Sequence, residues 1–365
     1  MKDQTLKPQP RAGIMRIALY QGGKSSLAGR SDVLKLSSNE NPAGAPPAAR
    51  AAIAEAAASV HRYPSTDHAA LRQAIAETHG LDPERIICGA GSDEVLQFAA
   101  QCFAGEGDEI IHTEHGFSMY PILAHMAGAT PVKVRERERT VDVDAILGAV
   151  TERTRIVFIA NPGNPTGTMI GEAALERLAD GLPGDVILVL DGAYVEYADG
   201  YEGGVGLASS RHNVLMTRTF SKIYGLGGLR VGWGYGAAEM IGAMTRIRQP
   251  FNLSTVQLAA AEAAVRDGDW VETCVRVNSE QGARLTAALG ELGISCDESH
   301  ANFVLARFAH EAEAVEADEA LQEAGIIARR VGGYGFPEGL RITVGNAEET
   351  GRVIAALEAW REGKS

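Results

Sequence analysis

The chain has 365 residues, and its 34 basic and 47 acidic side chains give a net charge of −13. This length predicts about two domains, each large enough to bury a core without disulfide or metal staples. The acidic pI near 5.2 argues against nucleic acid as a partner, because duplex binding draws on clustered Lys and Arg. The sequence has no uncharged apolar run of about 18 residues, so no membrane association is expected.

The cysteines and the N-terminus indicate the compartment. Cys88, Cys102, Cys274 and Cys296 lie far apart and form no CxxC pair, which fits reduced thiols better than a disulfide framework. The first residues mix charges and prolines where a signal peptide needs a continuous apolar stretch. We therefore expect a soluble cytoplasmic protein.

Seven apolar runs predict strands in the first two thirds of the chain. They are RIICG (85–89), EIIHT (109–113), PVKVR (131–135), RIVFIA (155–160), VILVL (186–190), NVLMT (213–217) and LRVGWG (229–234). Most lack polar alternation and are separated by helical patterns, which is typical of a mostly parallel sheet covered on both faces. The sequence thus predicts a large α/β domain over residues 36–250.

The pattern changes after Pro250. Ala-rich helical patterns occupy about 253–266 and 270–292, and three short strand candidates follow, NFVLARF, IIARRV and LRITVG. A smaller α/β domain over residues 251–365 is the simplest interpretation. Residues 1–35 are expected to contribute to this domain and to cover the active site.

Polar groups that follow the predicted strands are candidates for chemistry, because ligands of such sheets bind beyond the carboxyl ends of the strands. In GAGSDE (89–94), the N–H groups of Ser92 and Asp93 at a helix start suit a phosphate. The alternative is a tight turn in which one of these side chains caps the helix. Asp191 follows four apolar residues, so we expect a cationic partner for it, although a helix cap or structural salt bridge is equally open.

A lysine after the next strand is surrounded by hydroxyls and an arginine. Lys222 lies close in sequence to Thr219, Ser221 and Arg230, a set suited to holding a phosphate beside a reactive amine. A basic phosphate site without covalent chemistry is the alternative. Considered together with Asp191, Tyr194 and Asn164, these residues match the needs of pyridoxal 5′-phosphate: a lysine, an acid, phenolate donors and a phosphate cup.

The sequence at this point resembles the fold type I aminotransferases and, within their class II branch, the histidinol-phosphate aminotransferases. The resemblance covers nearly the whole chain. It depends on LSSNENP (36–42), YPSTDHAALRQAIA (63–76), GAGSDE, EHGFSMY (114–120), NPGNPTG (161–167), DGAYVEY (191–197), TFSKIYGLGGLRVG (219–232) and YGFPEGLRITVGN (334–346).

The resemblance implies roles for the cofactor-site residues. Lys222 would bind the cofactor covalently and move the proton, Asp191 would keep the ring nitrogen protonated, and Tyr194 would donate to the phenolate oxygen. The remaining cofactor contacts would come from Ser92, Asp93, Phe117, Asn164, Thr219, Ser221 and Arg230. Tyr63 would reach the phosphate of the neighbouring subunit, which implies a homodimer with shared active sites.

The resemblance also implies small-molecule substrates, an amino donor and a 2-oxo acid. Arg341 would bind the carboxylate or phosphate, assisted by Arg329. Tyr20, Asn39 and Glu40 would close over the side-chain pocket. The sequence departs from the family at Arg330, where proline is frequent, and at Gly22, in a Tyr-x-Pro-Gly pattern; both departures concern substrate selectivity.

Three functions follow from this resemblance. The leading hypothesis is transamination between L-histidinol phosphate and 2-oxoglutarate in histidine biosynthesis. An aromatic amino acid aminotransferase would use the same catalytic residues with a more apolar pocket, and an amino-acid phosphate decarboxylase would release carbon dioxide. No metal site is expected, because the His112–His115 pair has no further ligand at helical spacing.

Overall fold

The computed structural model describes residues 7–19 and 22–363. Within these ranges the strands are β1 (Leu34–Lys35), β2 (Ile86–Gly89), β3 (Glu109–Thr113), β4 (Thr130–Val134), β5 (Thr154–Ala160), β6 (Ile187–Asp191), β7 (Val214–Thr219), β8 (Gly232–Tyr235), β9 (Phe303–Arg307), β10 (Ile326–Ile327), β11 (Arg329–Val331) and β12 (Phe336–Thr343). The helices are α1 (Pro47–Ala56), α2 (Ala69–His79), α3 (Ser92–Phe103), α4 (Met119–Ala127), α5 (Val143–Ala149), α6 (Glu172–Gly181), α7 (Val205–Ser210), α8 (Ala238–Ile247), α9 (Thr255–Val265), α10 (Gly268–Glu291), α11 (Glu311–Glu323) and α12 (Ala347–Glu362).

The predicted mostly parallel sheet of seven strands is confirmed. Its order is β2-β8-β7-β6-β5-β3-β4. The five strands from β7 to β4 run parallel, whereas β8 is antiparallel to both β7 and β2. Every residue of β3, β6 and β7 is buried, which explains why these runs show no polar alternation.

Both faces of this sheet are covered. In β5, Val157 and Ile159 belong to the hydrophobic cluster on one face, while Ile156 and Phe158 belong to the cluster on the other face. This alternation follows from the two-residue period of a strand. Helices therefore enclose the sheet, and polar side chains reach solvent only at its edges.

The C-terminal part of the chain forms two smaller sheets. Strands β11, β12 and β9 form an antiparallel sheet, and β1 pairs with β10 in parallel. The IIARRV run, predicted as one strand, is divided into β10 and β11, because β10 pairs with the N-terminal β1 whereas β11 pairs with β12. The N-terminal segment is thus attached to this part of the molecule through its pairing of Leu34 with Ile326.

The division of the chain at residue 250 stays a prediction. Ala260, Ala261 and Ala264 of α9 lie in the same hydrophobic cluster as the large sheet, and α9 packs against α1 and α2. The separate cluster under the small sheets includes Leu285 and Leu289, near the end of α10. In the described residues, no helix combines the length and apolar character needed to cross a bilayer.

Candidate active site

A cavity lies where the carboxyl ends of β5, β6 and β7 meet the small sheet. Most of the side chains expected at the site line it: Asn39, Ser92, Asp93, Phe117, Asn164, Asp191, Tyr194, Thr219, Ser221, Lys222, Arg230, Arg329 and Arg341. The chain brings them together because parallel neighbours end at the same edge of their sheet, as do Ala160, Asp191 and Thr217 in register. This is the edge at which open α/β sheets bind ligands.

The start of α3 is built to receive an anion. Gly91 is the N-cap and no side chain caps the helix there, so the alternative interpretation, in which Ser92 or Asp93 serves as the cap, is wrong. The first N–H groups of a helix have no intrahelical acceptors, and the helix dipole favours negative charge at this end. The Arg230 guanidinium lies beside them, 2.9 Å from Ser221 Oγ and 3.2 Å from Asp93 Oδ2.

Two glycines allow this close packing. A Cβ on Gly91, whose φ is +83°, would overlap Nη2 of Arg230, and a Cβ on Gly232 would overlap the backbone nitrogen of Ser92. Only glycine accepts both the positive φ and the lack of space at position 91. The start of α3, together with Arg230 and Ser221, forms a phosphate cup. Its shape is fixed by backbone contacts as well as by side chains.

Asp191 lies at the end of β6 and is buried. Its Oδ2 accepts a hydrogen bond from Tyr120 at 2.9 Å, and its Oδ1 lies 3.4 Å from the Thr217 hydroxyl. Burial raises the pKa of this carboxyl to about 6, against the lowering effect of the Tyr120 hydrogen bond. The side chains that donate to it are neutral hydroxyls, so a structural salt bridge is not formed here among the described residues, and the cationic partner of Asp191 stays a prediction. The carboxylate is thus suited to a cation supplied by a ligand.

Tyr194 and Asn39 form a buried pair on the opposite side of the cavity. Asn39 Nδ2 donates to the Tyr194 hydroxyl oxygen at 2.9 Å, and Thr343 Oγ1 donates to Asn39 Oδ1 at 3.2 Å. Burial raises the pKa of Tyr194 to about 12, so its hydroxyl keeps its proton at neutral pH and can donate it to a ligand oxygen. Asn39 has a positive φ of 55°, a backbone conformation that asparagine accepts more readily than most residues.

Lys222 projects its amine into the same space. Its Nζ donates to the Ser38 carbonyl at 3.1 Å and lies 5.7 Å from the centre of the Tyr194 ring. Burial and the positive charge of Arg341 lower the pKa of this amine to about 8. The lowered pKa increases the fraction of this amine that is neutral, and therefore nucleophilic, near neutral pH.

Arg341 is buried at the small-sheet side of the cavity. Its Nη1 donates to Asn164 Oδ1 at 2.5 Å and its Nη2 donates to the Ser37 carbonyl at 2.9 Å. Arg329 is the direct cross-strand partner of Arg341 in the β11–β12 pair. Two guanidinium groups on one face of a sheet create a strongly positive region, which suits a substrate with a dianionic group.

Two expected residues, Glu40 and Tyr63, do not line the cavity. Glu40 is exposed and forms an ion pair of 2.8 Å with Lys35. Tyr63 is 82% exposed and stacks on Phe251, with ring centroids 4.5 Å apart. Tyr20 lies outside the described residues.

Several residues of the site were not predicted from the sequence. Tyr120, which donates to Asp191, lies in the EHGFSMY motif, but nothing in its sequence neighbours indicates that it contacts residue 191. Tyr334 and Ser38 also line the cavity. Ser38 contributes a backbone carbonyl, for which side-chain patterns give no signal.

The donor set fits pyridoxal 5′-phosphate. The uncapped helix start and Arg230 suit its phosphate, buried Asp191 suits its ring nitrogen, and Lys222 suits its aldehyde. Across residues 7–19 and 22–363, no group of three or more His, Cys, Asp or Glu side chains is arranged to hold a metal ion.

Comparison with known proteins gives the same class. Residues 31–357 match the family model "Aminotransferase class I and II". The histidinol-phosphate aminotransferase of Ruegeria pomeroyi is 64% identical over 98% of this chain and 99% of its own length. The histidinol-phosphate aminotransferase of Jannaschia sp. is 61% identical over 97% of this chain and 98% of its own length. The crystal structure of the Sinorhizobium meliloti histidinol-phosphate aminotransferase in complex with pyridoxal 5′-phosphate superposes with a TM-score of 0.87 at 27% identity, covering 99% of this chain and 97% of that one.

The expected fold type I architecture is therefore confirmed. The chain belongs to the class I and II aminotransferases and, within them, to the histidinol-phosphate aminotransferase family.

Proposed function

We propose that this enzyme transfers the amino group of L-histidinol phosphate to 2-oxoglutarate and so produces imidazole acetol phosphate and L-glutamate. Pyridoxal 5′-phosphate is its cofactor. The observation that carries the choice of substrate is the position of Arg329 opposite Arg341 at the cavity. The shared name of relatives with 58–64% identity supports it.

When bound, the cofactor withdraws electrons from the substrate, so that the Cα–H bond becomes acidic. Lys222 would then act as the base that removes the proton from the substrate Cα and as the acid that delivers a proton to carbon C4′ of the cofactor. Its lowered pKa, about 8, serves both directions, because a base works best when its pKa lies near the working pH. The nearby Ser38 carbonyl and Tyr194 ring orient the amine.

The other site residues would bind and orient the cofactor. Asp191, held by Tyr120 and Thr217, would keep a proton on the ring nitrogen. Tyr194 and Asn164 would donate to the phenolate oxygen, and Phe117 would pack on the ring. The phosphate would be held by a set of donors around the start of α3: Ser92, Asp93, Thr219, Ser221 and Arg230.

Arg341 recognises the anion shared by both substrates. The phosphate ester of histidinol phosphate occupies the place of the α-carboxylate of glutamate, and one planar guanidinium can donate two bonds to either group. Arg329 adds a second positive charge for the phosphate dianion. Asn39 holds the wall of the pocket through its hydrogen bond to Tyr194.

The test is a half-reaction with each amino donor. Purified enzyme loaded with cofactor is mixed separately with histidinol phosphate, glutamate, phenylalanine and tyrosine, and the visible absorbance of the lysine-bound cofactor is followed. We expect the highest kcat/KM with histidinol phosphate. Faster reaction with phenylalanine or tyrosine would establish an aromatic amino acid aminotransferase, and release of carbon dioxide would establish a decarboxylase.

We also propose a cytoplasmic homodimer in which Tyr63 contacts the cofactor phosphate of the other subunit. Exposed apolar side chains lie along this region, namely Val60, Tyr63, Ile247 and Phe251, and such a patch is typical of an interface. All four cysteines are free thiols, as in a reducing compartment. Analytical ultracentrifugation at micromolar concentration should give twice the chain mass.

A further inference from the structure

A network of hydrogen bonds supports the segment that carries Tyr63. Arg248, directly after α8, donates through Nη2 to the Thr66 carbonyl at 2.6 Å and through Nη1 to the Asn252 side-chain oxygen at 3.0 Å. The same Nη1 lies 3.1 Å from His68 Nε2. One guanidinium thus holds the segment at two residues and connects it to the chain beyond α8.

His68 can accept from this guanidinium only as a neutral imidazole. It is buried at the start of α2 with a φ of 54°. Burial and the charge of Arg248 lower its pKa to about 4. The ring is therefore uncharged at neutral pH, which is compatible with its contact with Arg248.

The two residues after Pro250 connect this segment to the phosphate cup. Phe251 stacks on the Tyr63 ring, and Asn252 donates to Glu94 Oε2 at 2.7 Å. The same Glu94 oxygen accepts from the Ala90 backbone at 2.6 Å, next to the N-cap of α3. The network therefore extends from the subunit's own phosphate cup to the Tyr63 segment.

Tyr63 is 82% exposed, and its ring stacks on Phe251. Exposed loop residues lose orientation unless packing or hydrogen bonds hold them. Arg248 bonds to Thr66, three residues after Tyr63, and to Asn252, next to Phe251, so it supports both sides of this stacking contact.

We propose that Arg248 is a positioning residue for the cofactor phosphate of the other subunit: by holding the backbone at Thr66 and the ring of His68, it presents Tyr63 to the partner's active site. The inference depends on the proposed homodimer. It also predicts that the effect of Arg248 appears at the neighbouring site, because the hydrogen bonds from Asn252 to Glu94 and from the Ala90 backbone to Glu94, which support the phosphate cup of its own chain, remain when Arg248 is replaced.

The first experiment measures the cofactor requirement of the Arg248→Met homodimer. We expect the pyridoxal 5′-phosphate concentration for half-maximal activity to rise about tenfold, the size expected for loss of a hydrogen bond to a charged group. Arg248→Lys, which keeps the charge but not both bonds, should show an intermediate rise. Arg246→Met is the matched control, because Arg246 is an exposed arginine of the same helix outside the network.

Hybrid dimers then show whether Arg248 affects the active site of its own subunit or the active site of the partner subunit. In a hybrid of Lys222→Ala and Arg248→Met subunits, the one site with Lys222 faces a Tyr63 segment with an intact Arg248, and we expect the wild-type cofactor requirement. In a hybrid of wild type with a Lys222→Ala/Arg248→Met subunit, the live site faces the unsupported segment, and we expect the tenfold rise. Two different affinity tags isolate each hybrid.

The opposite pattern, or equal effects in both hybrids, would overturn the proposal. If Arg248→Met does not fold, the same two hybrids are made with Arg248→Lys. A chain that sediments as a monomer with full activity would instead overturn the proposed homodimer, so the two failures are distinguishable.

Discussion

Arg329 and Arg341 lie directly opposite each other on β11 and β12, and both side chains line the active-site cavity. Like charges at directly opposite positions of a sheet repel each other. The arrangement becomes favourable when an anion lies between the two guanidinium groups. Arg341 is further fixed by its hydrogen bonds to Asn164 and to the Ser37 carbonyl.

Replacing Arg341 with lysine should lower kcat/KM about tenfold or more for both histidinol phosphate and glutamate. Lysine keeps the charge but loses the planar fork that binds two oxygens at once, and hydrogen bonds to charged groups contribute about 1.5 to 3 kcal/mol. Half-reaction kinetics with each substrate measure the change. Unchanged kinetics would show that Arg341 does not bind the common anion.

Arg329→Ala should reduce kcat/KM for histidinol phosphate much more than for glutamate, because the second positive charge matters most for a phosphate dianion. The preference should move towards aromatic amino acids. Arg330, whose departure from the family was expected to concern selectivity, does not line the cavity and pairs with Glu311. Because successive residues of a strand face opposite sides, Arg330→Ala is the matched control. Equal losses with all substrates would contradict the division of roles.

Lys222→Ala should abolish steady-state transamination while the chain still folds and retains cofactor. The binding groups for the phosphate and the ring remain, but no other amine of the cavity can move the Cα proton. Activity assays at matched cofactor loading, with circular dichroism to verify folding, test this. Lys133→Ala, at an exposed position of β4, should retain full activity.

Asp191→Asn should lower kcat at least a hundredfold, with less effect on cofactor retention. Asparagine has nearly the same shape, but it cannot stabilise a protonated ring nitrogen. A cofactor analogue methylated at this nitrogen carries a permanent positive charge and should restore part of the rate if the analogue is accommodated. Wild-type turnover by Asp191→Asn would refute the role of the carboxylate.

The same substitution should stabilise the cofactor-free protein. Burial raises the folded-state pKa of Asp191 from 3.8 to about 6, so stability from this group is fully present below pH 3.8 and is lost as the pH rises to about 6. Asparagine is neutral throughout and avoids this loss. Urea unfolding should show a gain of roughly 2 to 3 kcal/mol at pH 7 that disappears near pH 4. Exposed Asp199→Asn should change stability by less than about 0.5 kcal/mol at either pH.

Gly91→Ala should weaken cofactor binding, because the new Cβ would displace Arg230 from the phosphate cup. Equilibrium dialysis of pyridoxal 5′-phosphate measures the loss. Gly242→Ala is a matched control: no heavy atom lies within 4 Å of a Cβ placed there, in the middle of α8. It should bind cofactor normally and gain about 0.5 to 1 kcal/mol of stability from better helix propensity.

The positions of the strands were largely predictable, because a strand that is buried on both faces appears in the sequence as a continuous apolar run. A run such as EIIHT matches β3 residue for residue. The direction of β8 was not predictable from its own residues, since apolar composition does not distinguish parallel from antiparallel neighbours. The prediction of IIARRV as a single strand was wrong for a similar reason. Its first half pairs with β1 and its second half pairs with β12, and the composition of the run does not reveal its pairing partners.

The sequence by itself determined the order of strands and helices, the polar residues that follow each buried strand, and the cofactor that they suit. These features depend on neighbours along the chain, through burial and turn chemistry. Only the tertiary structure decided which groups meet. Tyr120 and Asp191 are 71 positions apart and Asn39 and Tyr194 are 155 apart, so their contacts exist only after the sheet and its helices have packed. The pKa values of Asp191 and Lys222 follow from that packing, because desolvation depends on everything that surrounds a buried group and not on its sequence neighbours.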